Sequence, residues 1–183
     1  MSSPSHPDQF PVFFPRVVPQ ADCCELIQAF DAAPDRSPAR ILLPMFGKVA
    51  CVLGRRAELA WIESAAARLT SRLNTVAGCR LPCLQGERGG EEAMQVARYG
   101  VGGRHWWHRD ASAFAAAGRK WSIVCQLSDP STYAGGDLLI RSRRTTSKAP
   151  REQGTVCFFP TWMWHRVTRV SAGTRYSATV WIT

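Results

Sequence analysis

Long apolar runs are missing from this 183-residue chain. Nothing in it approaches the roughly 18 consecutive apolar residues of a membrane helix, so no helical span is expected. The first ten residues, MSSPSHPDQF, contain neither a basic segment nor an apolar one, so no secretory leader is expected and the cytoplasm is the expected compartment. Cysteine is present at seven positions, an odd number, and no two are spaced as the CxxC pair of a zinc site or a redox motif. Cys23 and Cys24 are adjacent, and Cys79 and Cys83 lie four apart in a loop-like stretch. Without export, these read as reduced thiols filling small apolar sites. Lysine is nearly absent: 3 Lys stand against 20 Arg. Histidine is also scarce, with four in the chain, and two of them fall within the six residues HWWHRD, 105–110.

What is present suits one globular domain. A 45% hydrophobic composition over this length can bury a core without disulfides. The net charge of +9 attracts anions of any kind, small carboxylates, acidic peptides and nucleic acid alike. Its densest cluster, RSRRTTSKAPR over 141–151, lies between two strand-like segments and reads as a solvated hairpin loop.

Along the chain, VFFPRVVPQADCCELIQAFDAAP starts extended and becomes a helix. Cys23, Leu26, Ile27 and Phe30 follow the i, i+3, i+4, i+7 spacing of one apolar face, and Pro34 closes it. The piece RILLPMFGKVACVL suggests irregular strands. A second helix is expected from about Glu58 to Asn74, with Trp61, Ile62, Ala65, Leu69 and Leu73 on one side and Gly78 beyond its end. After GERGGEE come seven strand-sized runs: AMQVARY, HWWHRD, KWSIVCQL, DLLIR, TVCFFP, WHRVTRV and RYSATVWIT. Their close spacing argues for an all-β sandwich or barrel with the helices packed outside. One domain is therefore expected over 1–183, with a helical and strand support region over 1–90 and a β core over 91–183.

In an extended strand, residues two apart point to the same face. His108 and Asp110 then project together, while Arg109 turns away and His105, three positions from His108, falls on the opposite face. An imidazole and a carboxylate side by side make two corners of a 2-His-1-carboxylate iron(II) site, which leaves open positions for other ligands. A second histidine must come from His6, His105 or His165. His6 sits in the lead-in, whereas His165 opens a strand after a proline-bounded turn. Ten residues beyond it, Arg175 opens the last strand, and a guanidinium can grip a carboxylate through two parallel hydrogen bonds.

These segments, YGVGGRHWWHRD, RKWSIVCQLSDPSTYAGGDLLIR and GTVCFFPTWMWHRVTRVSAGTRYSATVW, resemble the iron(II)/2-oxoglutarate-dependent dioxygenases. The similarity is to the prolyl 4-hydroxylase-like branch and its bacterial PKHD-type relatives. Their pattern runs Y-x-x-G-x-x-x-x-x-H-x-D, R-K-L-S, Q-L-S-D-P, Y-x-G-G-E-L, F-P-S, H-x-V, G-x-R-Y-S. The resemblance implies a mainly β fold with flanking helices around a double-stranded β-helix, the cupin-like jelly roll. It implies that His108, Asp110 and His165 bind Fe(II), and that Arg175 holds the far carboxylate of 2-oxoglutarate. Tyr99, Gln126, Leu138 and Trp181 match positions lining the cosubstrate pocket, and Gly135 and Gly136 the tight entry to a strand. The implied reaction consumes 2-oxoglutarate and O2, releases succinate and carbon dioxide, and hydroxylates an unactivated C–H bond, with ascorbate as a candidate reductant. A carboxylate at position 110 occupies the place that a halogenating relative frees for halide.

Departures from the pattern fall on the substrate side. Arg104 and His105 replace an aromatic pair, Trp106 replaces a small or acidic residue, and RKLS becomes RKWS. Arg104, His105, Trp106 and Trp164 are the candidate substrate contacts, with an anionic group on a peptide, amino-acid or small-metabolite substrate. Two other readings stay open. A nucleic-acid demethylase of the same superfamily suits the charge but would carry a further arginine after Arg175, where the chain has YSATVWIT. A non-catalytic metal-binding β-barrel would close a structural zinc with four ligands, and only three are evident.

Overall fold

The computed structural model describes residues 10–32, 37–38, 42–45, 48–51, 58–62, 94–111, 119–143 and 145–182. A first strand, β1 (Val12–Phe14), leads into helix α1 (Gln20–Ala32), whose buried side chains are Cys23, Leu26 and Phe30, with Ile27 partly buried beside them. Asp22 lies in the first turn, where a negative charge complements the helix dipole. The helix is fixed to the sheet through Phe30, edge-on to Tyr176 with centroids 5.7 Å apart. The Tyr176 hydroxyl also donates to Asp31 at 3.2 Å. Short strands β2 (Ser37–Pro38), β3 (Leu42–Met45), β4 (Lys48–Cys51) and β5 (Glu58–Ile62) follow, β3 and β4 pairing as a hairpin.

The core strands are β6 (Met94–Tyr99), β7 (His105–His108), β8 (Trp121–Gln126), β9 (Tyr133–Gly135), β10 (Leu138–Arg141), β11 (Thr146–Lys148), β12 (Val156–Pro160), β13 (Trp164–Val167), β14 (Val170–Gly173) and β15 (Arg175–Ile182). They form a seven-stranded sheet in the order β1-β12-β8-β15-β6-β5-β2, a four-stranded sheet in the order β11-β10-β13-β7, and a β14-β9 pair. The chain alternates between the two larger sheets, which is the jelly-roll architecture the sequence implied. In the middle of the large sheet, β8 and β12 are buried almost end to end. Strands covered on both faces read as near-continuous apolar runs, which is why they were visible in the sequence.

One face of the large sheet carries Phe14, Val156, Cys125, Ala178 and Val96 in register and meets α1. The other carries Ser122, Val124, Gln126, Cys157, Ser177 and Trp181, and it holds the site. The N-terminal region is more than external support, since β1 and β5 extend the large sheet through β12 and β6.

Two expectations are corrected. The helix over 58–74 begins as strand β5, which pairs antiparallel with β6 from Glu58↔Arg98 to Ile62↔Met94. The partner strand supplies the backbone hydrogen bonds that local propensity assigned to a helix. Residues 63–74 lie outside the described set, as do His6, Pro34, Gly78, Cys79 and Cys83. The run WHRVTRV is two strands rather than one, because Thr168 leaves the sheet and its hydroxyl accepts from the Asp137 N–H at 2.8 Å. The 141–151 segment is a hairpin as expected, with Arg141 opposite Thr146.

Among the described residues Cys23, Cys125 and Cys157 are buried free thiols and Cys24 is an exposed one. Burial pushes the Cys157 thiol up to about 12, only partly opposed by the Arg175 guanidinium. No described helix is long and apolar enough to cross a membrane.

Candidate metal centre and anion pocket

Strand β7 ends at His108 and Asp110 follows in a bend, its N–H donating to the Thr161 carbonyl at 3.0 Å. His165 on β13 is the register partner of His108. One donor atom from each of His108, Asp110 and His165 lies within 4.8 Å of the others, so two sheet partners and a bend residue converge. The two Asp110 oxygens divide between the rings: Oδ1 is 3.5 Å from His108 Nε2 and Oδ2 is 3.5 Å from His165 Nε2.

Both imidazoles are oriented from behind. His108 Nδ1 is 2.8 Å from the Trp106 carbonyl and His165 Nδ1 is 3.1 Å from the Met163 carbonyl. A carbonyl can only accept, so each Nδ1 carries a proton, and Nε2 is the ring atom that each imidazole turns toward Asp110. The Ser122 hydroxyl donates to Asp110 Oδ2 at 2.7 Å. Burial alone would raise the Asp110 carboxyl. The adjacent His165 and His108 rings, with hydrogen bonds from His108 and Ser122, more than offset that and hold it well below the usual carboxylate range. An ionised carboxylate and two imidazoles held from behind through Nδ1, each with Nε2 left to bind a metal in place of a proton, are a donor set for a divalent transition metal. The site fits iron(II).

The expectation for His105 is corrected. Its ring stacks on His108 with centroids 3.5 Å apart, and it is buried. Between the register pairs His165↔His108 and Val167↔His105, three steps on β7 oppose two on β13. That extra residue is a bulge, and it returns His105 to the face of His108. His105 therefore lies against a donor ring, where it can position His108.

Arg175, with no exposed surface, is the largest fully buried side chain in the described chain. Its Nη2 donates to Gln126 Oε1 at 2.8 Å and its Nη1 to Ser177 Oγ at 3.1 Å, while Nε has no hydrogen-bond partner. The Tyr99 ring stands 5.2 Å from the guanidinium carbon. Among the described residues no carboxylate pairs with Arg175. A buried cation with an unused donor costs free energy unless an anion completes it. Thr155 adds a second vacant donor: its carbonyl accepts from the Gln126 N–H, and its buried hydroxyl has no partner. Thr155, just before β12, thus lies beside Gln126, which pairs with Ser177, so the three form a polar row, two of whose members hold Arg175. The arrangement fits a carboxylate.

The remaining sequence-derived residues divide by burial. Leu138 and Trp181 are buried on the faces that line the site, Trp181 in register with Ser122. Trp106 and Trp164 are exposed and Arg104 is half-buried. Sequence reasoning missed Ser122, Ser177 and Thr155. Ser122 could have been found, because period-2 alternation places it on the face of Gln126. Thr155 could not, since only strand pairing brings it there.

Residues 94–183 match the profile of the 2OG-Fe(II) oxygenase superfamily. A PKHD-type hydroxylase of Synechococcus sp. (strain CC9605) is 36% identical over 92 residues, covering 49% of this chain and 41% of that protein. One from Prochlorococcus marinus (strain SARG) is 35% identical over 90 residues, covering 49% and 40%. The matched region thus spans about two-fifths of these relatives' length. Among solved structures, a prolyl hydroxylase from Trichoplax adhaerens in complex with a hypoxia inducible factor oxygen degradation domain peptide fragment superposes with a TM-score of 0.73. Its identity is 16%, over 94% of this chain and 82% of that one. A Pseudomonas putida prolyl-4-hydroxylase gives 0.69 at 19% identity, over 94% and 91%.

Proposed function

We propose that this chain, whose residues 94–183 match the 2OG-Fe(II) oxygenase superfamily, is an iron(II)- and 2-oxoglutarate-dependent dioxygenase that hydroxylates a C–H bond of a peptidyl substrate, prolyl residues among the candidates. Free amino acids and small metabolites are the other substrate classes of the reading. The observation that carries it is the His108, Asp110, His165 donor set at the β7-β13 pair of the smaller sheet together with a buried, anion-deficient Arg175 on β15 of the larger one.

When bound, iron, dioxygen and 2-oxoglutarate supply the oxidation, in which 2-oxoglutarate becomes succinate and carbon dioxide and one oxygen atom enters the substrate. The chain's own part is positional. His108 and His165 present Nε2 because their Nδ1 protons are committed to the Trp106 and Met163 carbonyls. Ser122 fixes the rotation of the Asp110 carboxylate. Arg175, set by Gln126 and Ser177, takes the far carboxylate of 2-oxoglutarate, with the Thr155 hydroxyl as an added donor. Tyr99, Leu138 and Trp181 wall the pocket and exclude water from it. Ascorbate would serve as reductant, and a cytoplasmic setting agrees with the free thiols.

The direct test incubates anaerobically iron-loaded protein with 2-oxoglutarate and an extract of the producing cell, then admits air. The expected result is succinate release together with a mass gain of one oxygen atom on an extract component, both lost when 2-oxoglutarate is omitted. Absence of succinate under all conditions would end the oxygenase reading.

A second expectation arises at Gly136, whose φ is +66°, and where an added Cβ would lie 2.9 Å from Arg175 Cδ and 3.0 Å from Val170 Cγ2. Gly136→Ala should displace Arg175 and weaken 2-oxoglutarate binding about tenfold, in line with backbone strain of about 1–3 kcal/mol. Gly135→Ala should instead destabilise the whole fold, because its Cβ would collide with the backbone oxygen of Arg169. Calorimetric titration and thermal melts of both variants distinguish the two effects.

A further inference from the structure

The site uses one arginine, and the charge of +9 remains unexplained by it. On β13 the buried His165 and Val167 alternate with exposed Trp164 and half-buried Arg166, and on β10 the buried Leu138 and Ile140 alternate with Leu139 and Arg141. Trp164 is in register with Arg141, and Arg166 with Leu139. The outer face of the β11-β10-β13-β7 sheet therefore carries arginine and tryptophan side by side. Trp107 has two guanidiniums against it, those of Arg141 at 4.3 Å and Arg166 at 4.9 Å from its ring centroid. Arg109 lies over Trp164 at 4.8 Å. None of these three arginines forms an ion pair with a carboxylate among the described residues, whereas Lys148 and Arg151, at the sheet edge, are close to Asp137. Arg109 sits between the donors His108 and Asp110, and Trp164 precedes His165, so this face borders the candidate metal centre.

We propose that this face docks an acidic segment of a peptide substrate, flanking the residue that enters the site. The proposal rests on the peptidyl reading given above. Stacking on an indole occupies the flat face of a guanidinium and leaves its N–H edge to grip a carboxylate through two bonds, and the Arg166 Nε is buried without a hydrogen-bond partner. The same stacking covers the indole faces that nucleotide bases would need, which turns the patch away from a base-stacking platform and toward an array of anion clamps. Trp106, 60% exposed, and Trp162, 45% exposed, offer apolar contact beside the clamps. An acidic peptide with apolar residues meets both features.

The test needs no turnover. Fluorescence anisotropy on metal-free protein compares a labelled peptide bearing glutamates on both sides of one proline with its glutamine-for-glutamate copy and with a single-stranded oligonucleotide. The acidic peptide should bind about tenfold more tightly than the glutamine copy, the scale of a few exposed charge pairs, and the preference should fade with salt. Arg109→Gln/Arg141→Gln/Arg166→Gln should lose the preference. A variant with the same charge loss at the exposed Arg16, Lys120 and Arg169 should keep it. The lysine version of the first triple, which retains charge and stem packing, should recover most of it; recovery of none would assign the loss to misfolding and overturn the proposal. No preference in the wild type, equal losses in the two glutamine variants, or tighter binding of the oligonucleotide would also overturn it. Acidic-peptide binding without any 2-oxoglutarate consumption would remove the oxygenase reading alone, and consumption without acidic preference would remove the docking face alone.

Discussion

Replacing Arg175 by methionine should raise the 2-oxoglutarate concentration needed for half-maximal binding by two orders of magnitude or more. The carboxylate that entered the pocket would then be buried without its cation, a loss of about 3–5 kcal/mol in comparable buried pairs. The ligand-free protein should respond in the opposite direction. Arg175 is buried with an unused Nε donor and no carboxylate partner among the described residues, so an apolar side chain of similar length should leave the melting temperature unchanged or raise it. Thermal melts with and without 2-oxoglutarate measure both effects: the wild type gains stability from the ligand and the variant does not. Arg166→Met and Arg169→Met should retain the ligand-induced shift, because the hydrogen bonds to Gln126 and Ser177 come from Arg175. If all three variants lose it equally, the arginines act only as a diffuse field and the pocket assignment fails.

His108→Ala and His165→Ala should each abolish metal binding, the other large effect, while the strands around them stay paired. Each removes one of three donors whose atoms lie within 4.8 Å, and two donors do not hold a divalent metal tightly against water. Anaerobic titration with cobalt(II), followed by its visible absorption, reports this independently of activity. Ser122→Ala should bind metal about 10–100-fold more weakly, since it frees the Asp110 carboxylate to rotate. His105→Ala should fall between wild type and His108→Ala, because it removes the ring stacked 3.5 Å from His108 and no donor. Wild-type cobalt spectra from either His108→Ala or His165→Ala would refute the donor set.

Short-range periodicity carried much of this into the sequence. The alternation of side chains along a strand is covalent geometry, so His108 and Asp110 could be placed on one face without knowing any partner strand. The same holds for helix α1, whose buried Cys23, Leu26 and Phe30 repeat at helical spacing, and for the buried runs that became β8, β12 and β15. Scarcity helped too: with four histidines in the chain, the third donor had few candidates. What depended on register was not legible. His105 shares the face of His108 only because β7 bulges against β13, and residues 58–62 are a strand only because β6 pairs with them. Spacing from His165 and the resemblance singled out Arg175 among twenty arginines, but not its surroundings or those of the others. The tertiary structure buries Arg175 beside Gln126 and Ser177, brings the Thr155 hydroxyl into their row, and stacks Arg109, Arg141 and Arg166 on tryptophans. Strand pairing joins segments tens of residues apart, and a one-residue slip would turn each of these side chains to the other face. Residue types, their faces and the choice of Arg175 were therefore legible along the chain, whereas the burial and the partners of each arginine were decided by non-local register.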